Sequence, residues 1–328
     1  VRQLSFEQHH KELWIELQGL LEDLEGPRHR RRLQPARYSR LPWLYRQVCN
    51  HYALARARAY SPALVIHLHD LILRAHRQLY RRHDAWLWRA LTFVALGFPR
   101  AVRQHARYFW LAALLFFGSG LLAGGYCYFD PELIYSILDE QQVASLEYMY
   151  DPANRQPGRS AERSAETDFV MFGYYLSHNI GIGFRTFAGG IFLGVGSAFL
   201  LLFNGLVLGG VSGHLTRVGY QETFWSFVSG HGAFELTAIV ICGGAGLMLA
   251  HAVLSPGQRT RPRALAEAAR EALELVLGAA MMLVVAAFIE AFWSSSALDY
   301  AIKYTAATGF WISVALYLGL AGRRRGAG

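Results

Sequence analysis

Cysteine is scarce. Cys49, Cys127 and Cys242 are far apart and fall in different segments, which excludes a disulfide framework and any cysteine-based metal-ligand spacing. Enzyme signatures are missing too. Ser212 lacks the glycine two residues later that a G-x-S-x-G elbow needs. His231-Gly-Ala-Phe-Glu235 has one histidine and a misplaced glutamate for H-E-x-x-H, and no G-x-x-x-x-G-K-[ST] phosphate loop occurs. The chain is accordingly read as a non-enzyme with no cofactor and no metal. No secretory signal precedes the basic first third, so the first span is expected to direct its own insertion.

Charge is absent from long stretches, which says more than the net +8. Residues 108–129 carry none, and residues 169–254 are almost charge-free and dense in glycine. Residues 1–107 hold nineteen of the 32 Arg/Lys and only eight acids, whereas the rest of the chain holds thirteen basic and sixteen acidic residues. A basic first third joined to an apolar remainder reads as a cytoplasmic domain leading into membrane spans. Nucleic-acid binding is rejected, because the basic part shows no recognition motif and no pattern of stacking aromatics.

The fold class expected is all-α: a polytopic helical membrane protein with an N-terminal cytoplasmic helical domain over residues 1–83. Phe6, His10, Leu13/Trp14, Leu17, Leu20/Leu21 and Leu24 recur at helical spacing, with Ser5 as N-cap and Gly26-Pro27 as stop. RHRRRLQPAR reads as a linker, solvated or lying on anionic headgroups. Helices near 41–60 and 62–83 follow, with Pro62 suited to a first turn. His67, His69 and His76 invite a metal reading, but residues two apart on a helix point about 200° away from each other, so His67 and His69 cannot share an ion. Residues 84–107 alternate aromatics with arginines and read as an interfacial amphipathic helix bent at Pro99.

Six spans are expected, at 108–129, 169–185, 187–213, 231–254, 272–293 and 298–321, joined by an exterior acidic loop at 130–168. The first is long enough for the ~30 Å hydrocarbon thickness. Basic residues ahead of it put the N-terminus inside, and the arginines at 259–263 and 323–325 put the later ends inside as well. Parity then requires 169–185 to cross, although His178-Asn179 and Gly181/Gly183 suggest a short, broken span. Residues 224–229 read as an interfacial or re-entrant element. Gly120/Gly124, Gly190/Gly194 and Gly205/Gly209 are small-xxx-small pairs suited to close helix approach, whether within the chain or in a homodimer.

Polar groups at membrane depth are the candidate site residues. His231, Glu235, Glu290, Asp299 and Lys303 fall at one level in the outer leaflet, where an unpaired charge is costly. His231 and Glu235 are neighbours on one helical face, and Lys303 is expected to pair with Glu235 or Glu290. Three readings stand: an ion pair joining the last three spans, a cation or proton site, or rim exposure. Deeper, His178, Asn179 and Asn204, with Gly205 and Gly209, read as a buried amide and packing set, His178-Asn179 being the partner of Asn204; a transport pathway through these segments is the other reading.

W-x-x-L-x-x-L-L at Trp14 to Leu21, Leu44-Tyr45-Arg46, HNIGIGFRTFAGGIFLGVG, FNGLVLGG and SGHGAFEL together resemble the stage II sporulation protein M family of bacterial integral membrane proteins, in its longer non-sporulating branch. Many relatives carry two adjacent asparagines where this chain has His178-Asn179. The resemblance implies the bacterial cytoplasmic (inner) membrane. It also implies a role like that of the founding member, an anchor or scaffold working with peptidoglycan-degrading partners and not itself the hydrolase. The reading that results is a non-enzymatic scaffold for a cell-envelope complex, with lipids and envelope proteins as partners. The alternative is a transporter or channel using residues 169–213 and the outer-leaflet cluster.

Overall fold

The computed structural model describes residues 3–25, 39–80, 82–153 and 165–323, and among these every regular element is helical. The RHRRRLQPAR linker, the Gly26-Pro27 stop, most of the loop beyond residue 153 and the last two arginines of 323–325 lie outside them. The chain divides into two compact units, Val1–Thr92 and Phe93–Gly328.

The first unit holds α1 (Gln3–Glu25), α2 (Leu41–Ala57), α3 (Pro62–Tyr80) and α4 (Arg82–Thr92). One face of each of the first three is apolar at helical spacing: Trp14, Leu17 and Leu21 on α1, Leu41, Leu44 and Val48 on α2, and Leu64, Leu68 and Leu71 on α3 close into one core. Helix α1 begins before Ser5, which is therefore inside the helix and not its cap. Pro62 does open α3. Trp14 satisfies its indole by donating to Nδ1 of His51 at 3.1 Å, and the His51 ring stacks on His10 with centroids 3.9 Å apart. Glu25 accepts two bonds from Arg74, at 3.1 and 2.8 Å, which ties the end of α1 to α3. His67, His69 and His76 turn to three different rings, Trp14, Tyr52 and Tyr45, as their spacing requires.

The second unit is a bundle of α5 (Phe98–Gln104), α6 (Ala106–Phe129), α7 (Glu140–Tyr150), α8 (Ala165–Ala188), α9 (Val195–Arg217), α10 (Gln221–Leu254), α11 (Arg261–Phe288) and α12 (Tyr300–Leu320). Helix α10 is its central post and packs against α6, α8, α9, α11 and α12. Among the described residues four helices are long and apolar enough to cross a membrane: α6, α9, α10 and α11 extended by the π-turn to Ser294; α8 and α12, which cover the expected spans 169–185 and 298–321, are not among the four. At 1.5 Å per residue the 34 residues of α10 reach about 50 Å, well beyond the hydrocarbon core. Residues 224–229 are simply its first turns, which corrects the re-entrant expectation.

Three other expectations change. Residues 169–185 are not broken: α8 is continuous from Ala165 to Ala188. The break comes after it, in a 3-10 turn at Gly189–Ile191 followed by left-handed backbone at Leu193 (φ 51°) and Gly194 (φ 83°). The space there is set by α10, since a Cβ on Gly190 would strike the backbone of Gly246. Second, residues 84–107 do not present one exposed face. Helical backbone runs from Arg82 to Gln104 through a π-turn at Phe93–Gly97, but Trp86, Leu87, Trp88 and Leu91 before the turn are exposed, whereas Phe98, Pro99, Ala101 and Val102 after it are buried. Third, the expected span end at 293 is overrun: Ser294 and Ser295, each 1% exposed, lie in a π-turn at Ile289–Ser294 and the residue after it.

Arg100 and Arg103 on α5 close the last turn of α12. Arg103 donates to the carbonyls of Leu318 and Ala321 at 2.5 and 2.6 Å, and Arg100 to Gly322 at 2.5 Å. A helix end leaves four carbonyls without intrahelical partners, and guanidinium groups also suit its negative dipole end. The end of α12 therefore lies at the same end of the bundle as the start of α6. At the opposite end lies the described part of the acidic loop. A capping box between Asp139 and Gln142 starts α7. His214 on α9 holds Glu147 at 2.7 Å, and Thr223 on α10 donates to the Tyr150 carbonyl.

The closest helix pair is α6 with α9. Gly205, Gly209 and Gly213 press against the backbone of Phe116, Gly120 and Gly124 in turn. The small-residue pairs are thus used inside the chain, backbone against backbone, as close approach without a hydrophobic driving force demands.

Candidate functional site

The polar residues converge at the α7 end of the bundle. His231 and Glu235 are one turn apart on α10, with Nε2 to Oε2 at 3.9 Å. The π-turn after α11 contributes Glu290 and Ser294. Single π-turns inside helices recur at functional sites, because one extra residue re-aims side chains without ending the helix. Ser294 Oγ lies 3.0 Å from Nδ1 of His231, which leaves Nε2 facing Glu235. Helix α8 brings Asn179, whose Nδ2 donates to Glu290 Oε2 at 3.3 Å.

Asn179, His231, Glu235 and Glu290 line one cavity of about 390 Å³, walled by α8, α9, α10 and the π-turn, with Leu146 and Tyr150 of α7 also lining it. At the liquid's ~30 Å³ per molecule that is room for on the order of ten waters. His178, Asn179, Asn204, His231, Glu235 and Glu290 all face it, and no lysine or arginine is among the described residues that do. His178, Asn179 and Asn204 of the deeper expected set and His231, Glu235 and Glu290 of the outer one therefore surround one space. Glu290, 9% exposed, and His231, 5% exposed, form its floor. One donor atom from each of His231, Glu235 and Glu290 lies within 4.8 Å of the other two. That arrangement can hold a cation, and linear spacing could not reveal it because the third donor comes from another helix.

Several pairings differ from expectation. Lys303 is 2% exposed, and its ammonium donates to the Ser294 carbonyl at 2.8 Å, which braces the π-turn. Asp299 is exposed and caps α12, accepting from the Ala301 amide at 2.8 Å. Asn204 does not bond His178-Asn179: its amide donates to Leu200 of its own helix at 2.7 Å. His178 is exposed and stacks on Tyr174, centroids 5.8 Å apart. Gly205 and Gly209 belong to the α6 contact. Ser294 and Tyr150 were not expected at the site; a serine run and an aromatic at a loop helix give no signal of burial until the turn and the loop are folded.

The comparisons with known proteins divide at the same place as the two units. A model described as a domain of unknown function (DUF8413) matches residues 4–81. A model described as stage II sporulation protein M matches residues 101–295, the stretch that contains every cavity-lining side chain named above. No curated protein and no solved structure matches the chain. With well over half of its length covered by that model, the chain is an α-helical membrane protein that belongs to the stage II sporulation protein M family.

Proposed function

We propose that this protein binds and passes a small cation, a proton or a metal ion, through the cavity between α8, α9, α10 and the π-turn. The observation that carries the reading is the cavity itself: about 390 Å³, two carboxylates, two imidazoles and two amides, with no lining lysine or arginine among the described residues. A pure anchor has no use for such a space. Each ionised carboxylate at membrane depth costs ~2.5 kcal/mol or more near a span's centre and less toward its edge, and a dry, packed centre avoids that cost. Polar groups retained around a wet space mark ion pathways. The surrounding frame in this reading is six crossings in the bacterial inner membrane with both termini cytoplasmic. It is supported by the shared end of α5 and α12 and by the arginines near residues 100–107 and 259–263. No catalytic step is assigned to the site.

A second reading, an anchor for an envelope complex with partners that remodel peptidoglycan, draws on the first unit. That unit has a core of its own and a separate family model, and it exposes Trp86 and Trp88. The two readings are compatible, because the partner surface and the cavity belong to different units.

The test is flux. Purified protein in liposomes is given a proton gradient or external Mn²⁺, and uptake is read with an enclosed dye. The expected result is uptake at least 10-fold above protein-free liposomes. Uptake equal to protein-free liposomes for both ions removes the transport reading and leaves the anchor.

A further inference from the structure

We propose that His231, Glu235 and Glu290 form a binding site for a divalent first-row transition metal, with the remaining coordination position open to the cavity. The proposal rests on the cavity being a place for cations and names the kind of cation and its ligands.

Geometry comes first. The three donor atoms lie within 4.8 Å of one another. Donors about 2.1 Å from a metal in a tetrahedral shell are about 3.4 Å apart, so the carboxylates have roughly an ångström to close. Glu235 is 15% exposed in its side chain, and rotation of both glutamates about their terminal torsions covers that distance. Nδ1 of His231 is engaged by Ser294 at 3.0 Å, so the ring presents Nε2 to the cavity. A metal-ligating histidine is normally held in this way through its second nitrogen.

Outer partners are also in place. Asn179 donates to Glu290 at 3.3 Å, and Lys303 donates to the carbonyl of Ser294 at 2.8 Å, fixing the residue that orients His231. Charge selects the occupant: two carboxylates face a space without a lining cation among the described residues, and one divalent ion neutralises both. Donor type narrows it. One imidazole nitrogen with carboxylate oxygens suits Mn²⁺, Fe²⁺, Co²⁺ or Zn²⁺, and the absence of thiolate or thioether from the lining disfavours Cu⁺. Three protein ligands with one open position leave a site from which an ion can also depart.

The experiment uses the full chain in lipid nanodiscs, stripped with chelator and titrated with Co²⁺. Visible absorption reports coordination, and equilibrium dialysis gives the stoichiometry. One Co²⁺ per chain is expected, with nitrogen- and oxygen-type bands. Glu235→Gln and Glu290→Gln each lower affinity at least 100-fold. Ser294→Ala and Asn179→Ala lower it about 10- to 100-fold, as loss of outer-shell partners does. Asp299→Asn, away from the cavity, leaves it unchanged. Helicity and elution volume check each variant; if a glutamine variant fails to fold, Ser294→Ala and Asn179→Ala carry the decision. Absence of stoichiometric binding by the wild type overturns the proposal, as does binding unaffected by these changes. A protein that passes protons but holds no Co²⁺ loses the metal site and keeps the cavity reading. One that holds Co²⁺ but passes no ion keeps the site and loses transport.

Discussion

Replacing Gly209 with alanine tests whether the α6–α9 contact holds the membrane part together. A Cβ at this position would lie 2.6 Å from both Cα and the carbonyl carbon of Gly120, with the carbonyl oxygen nearer still. Ordinary contact begins near 3.4 Å, so the helices must separate by about an ångström. No rotamer relieves the clash, because the obstacle is backbone. The same seam carries Gly205 against Phe116 and Gly213 against Gly124, so separation at the centre loosens three turns. A radial gap of 0.5–1 Å forfeits a quarter to a half of each dispersion contact, and overpacking of this sort costs roughly 1–3 kcal/mol. Alanine offsets part of that through its helix propensity, about 1 kcal/mol better than glycine. The net expectation is destabilisation by about 1 kcal/mol. Gly125, on the facing helix α6, has nothing within 4 Å of its added Cβ, so Gly125→Ala is expected to be neutral or to stabilise by up to ~1 kcal/mol. Equilibrium unfolding in mixed detergent and dodecyl sulfate measures both. If Gly209→Ala is no less stable than Gly125→Ala, the seam is not what holds these helices.

Two other expectations follow from the same coordinates. His51 is held neutral in the first unit: burial, then the neighbouring His10 and His9, push its pKa from 6.5 to about 4. The stability tied to this shift is complete above pH 6.5 and is lost as pH falls toward 4, because the unfolded chain takes up the proton first; the size is on the order of 3 kcal/mol. Melting of the first unit should therefore weaken between pH 7 and 5, and His51→Gln should flatten that slope; an unchanged slope in the variant contradicts the assignment. In the flux assay, Glu235→Gln and Glu290→Gln should each reduce cation uptake at least 10-fold, while Asp299→Asn, at the exposed cap of α12, should leave uptake as it was.

Much of the architecture is legible in the sequence because apolar length and charge asymmetry are direct records of the solvent each segment meets. The C-terminal limit of α6 follows from its uncharged run, and the α1–α3 core from 3.6-residue spacing. What was misread depends on context. His178-Asn179 and two glycines suggested a broken span, yet α8 stays helical, and the chain reverses instead at Gly189–Gly194, where Gly246 leaves room for the turn. The i,i+4 pairing of His231 and Glu235 is local and could be seen. Depth along the spans puts Glu290 at their level, but its approach to within 4.8 Å comes through a π-turn, and hydrophobic periodicity carries no mark of such a turn. The bond from Lys303 to Ser294 was hidden for a related reason: only the folded π-turn brings the Ser294 carbonyl within 2.8 Å of its ammonium.

The central claim is that α8, α9, α10 and the π-turn enclose an aqueous space at membrane depth, not a dry contact. Its most direct measurement is the reactivity of a cysteine placed at Asn204, in a Cys49→Ser background, toward a small charged thiol reagent in intact proteoliposomes. Asn204 faces the cavity, whereas Ala245, 0% exposed in the core between α10 and α11, does not. The account predicts that Asn204→Cys is modified at least 100-fold faster than Ala245→Cys. Equal inertness of the two thiols contradicts it.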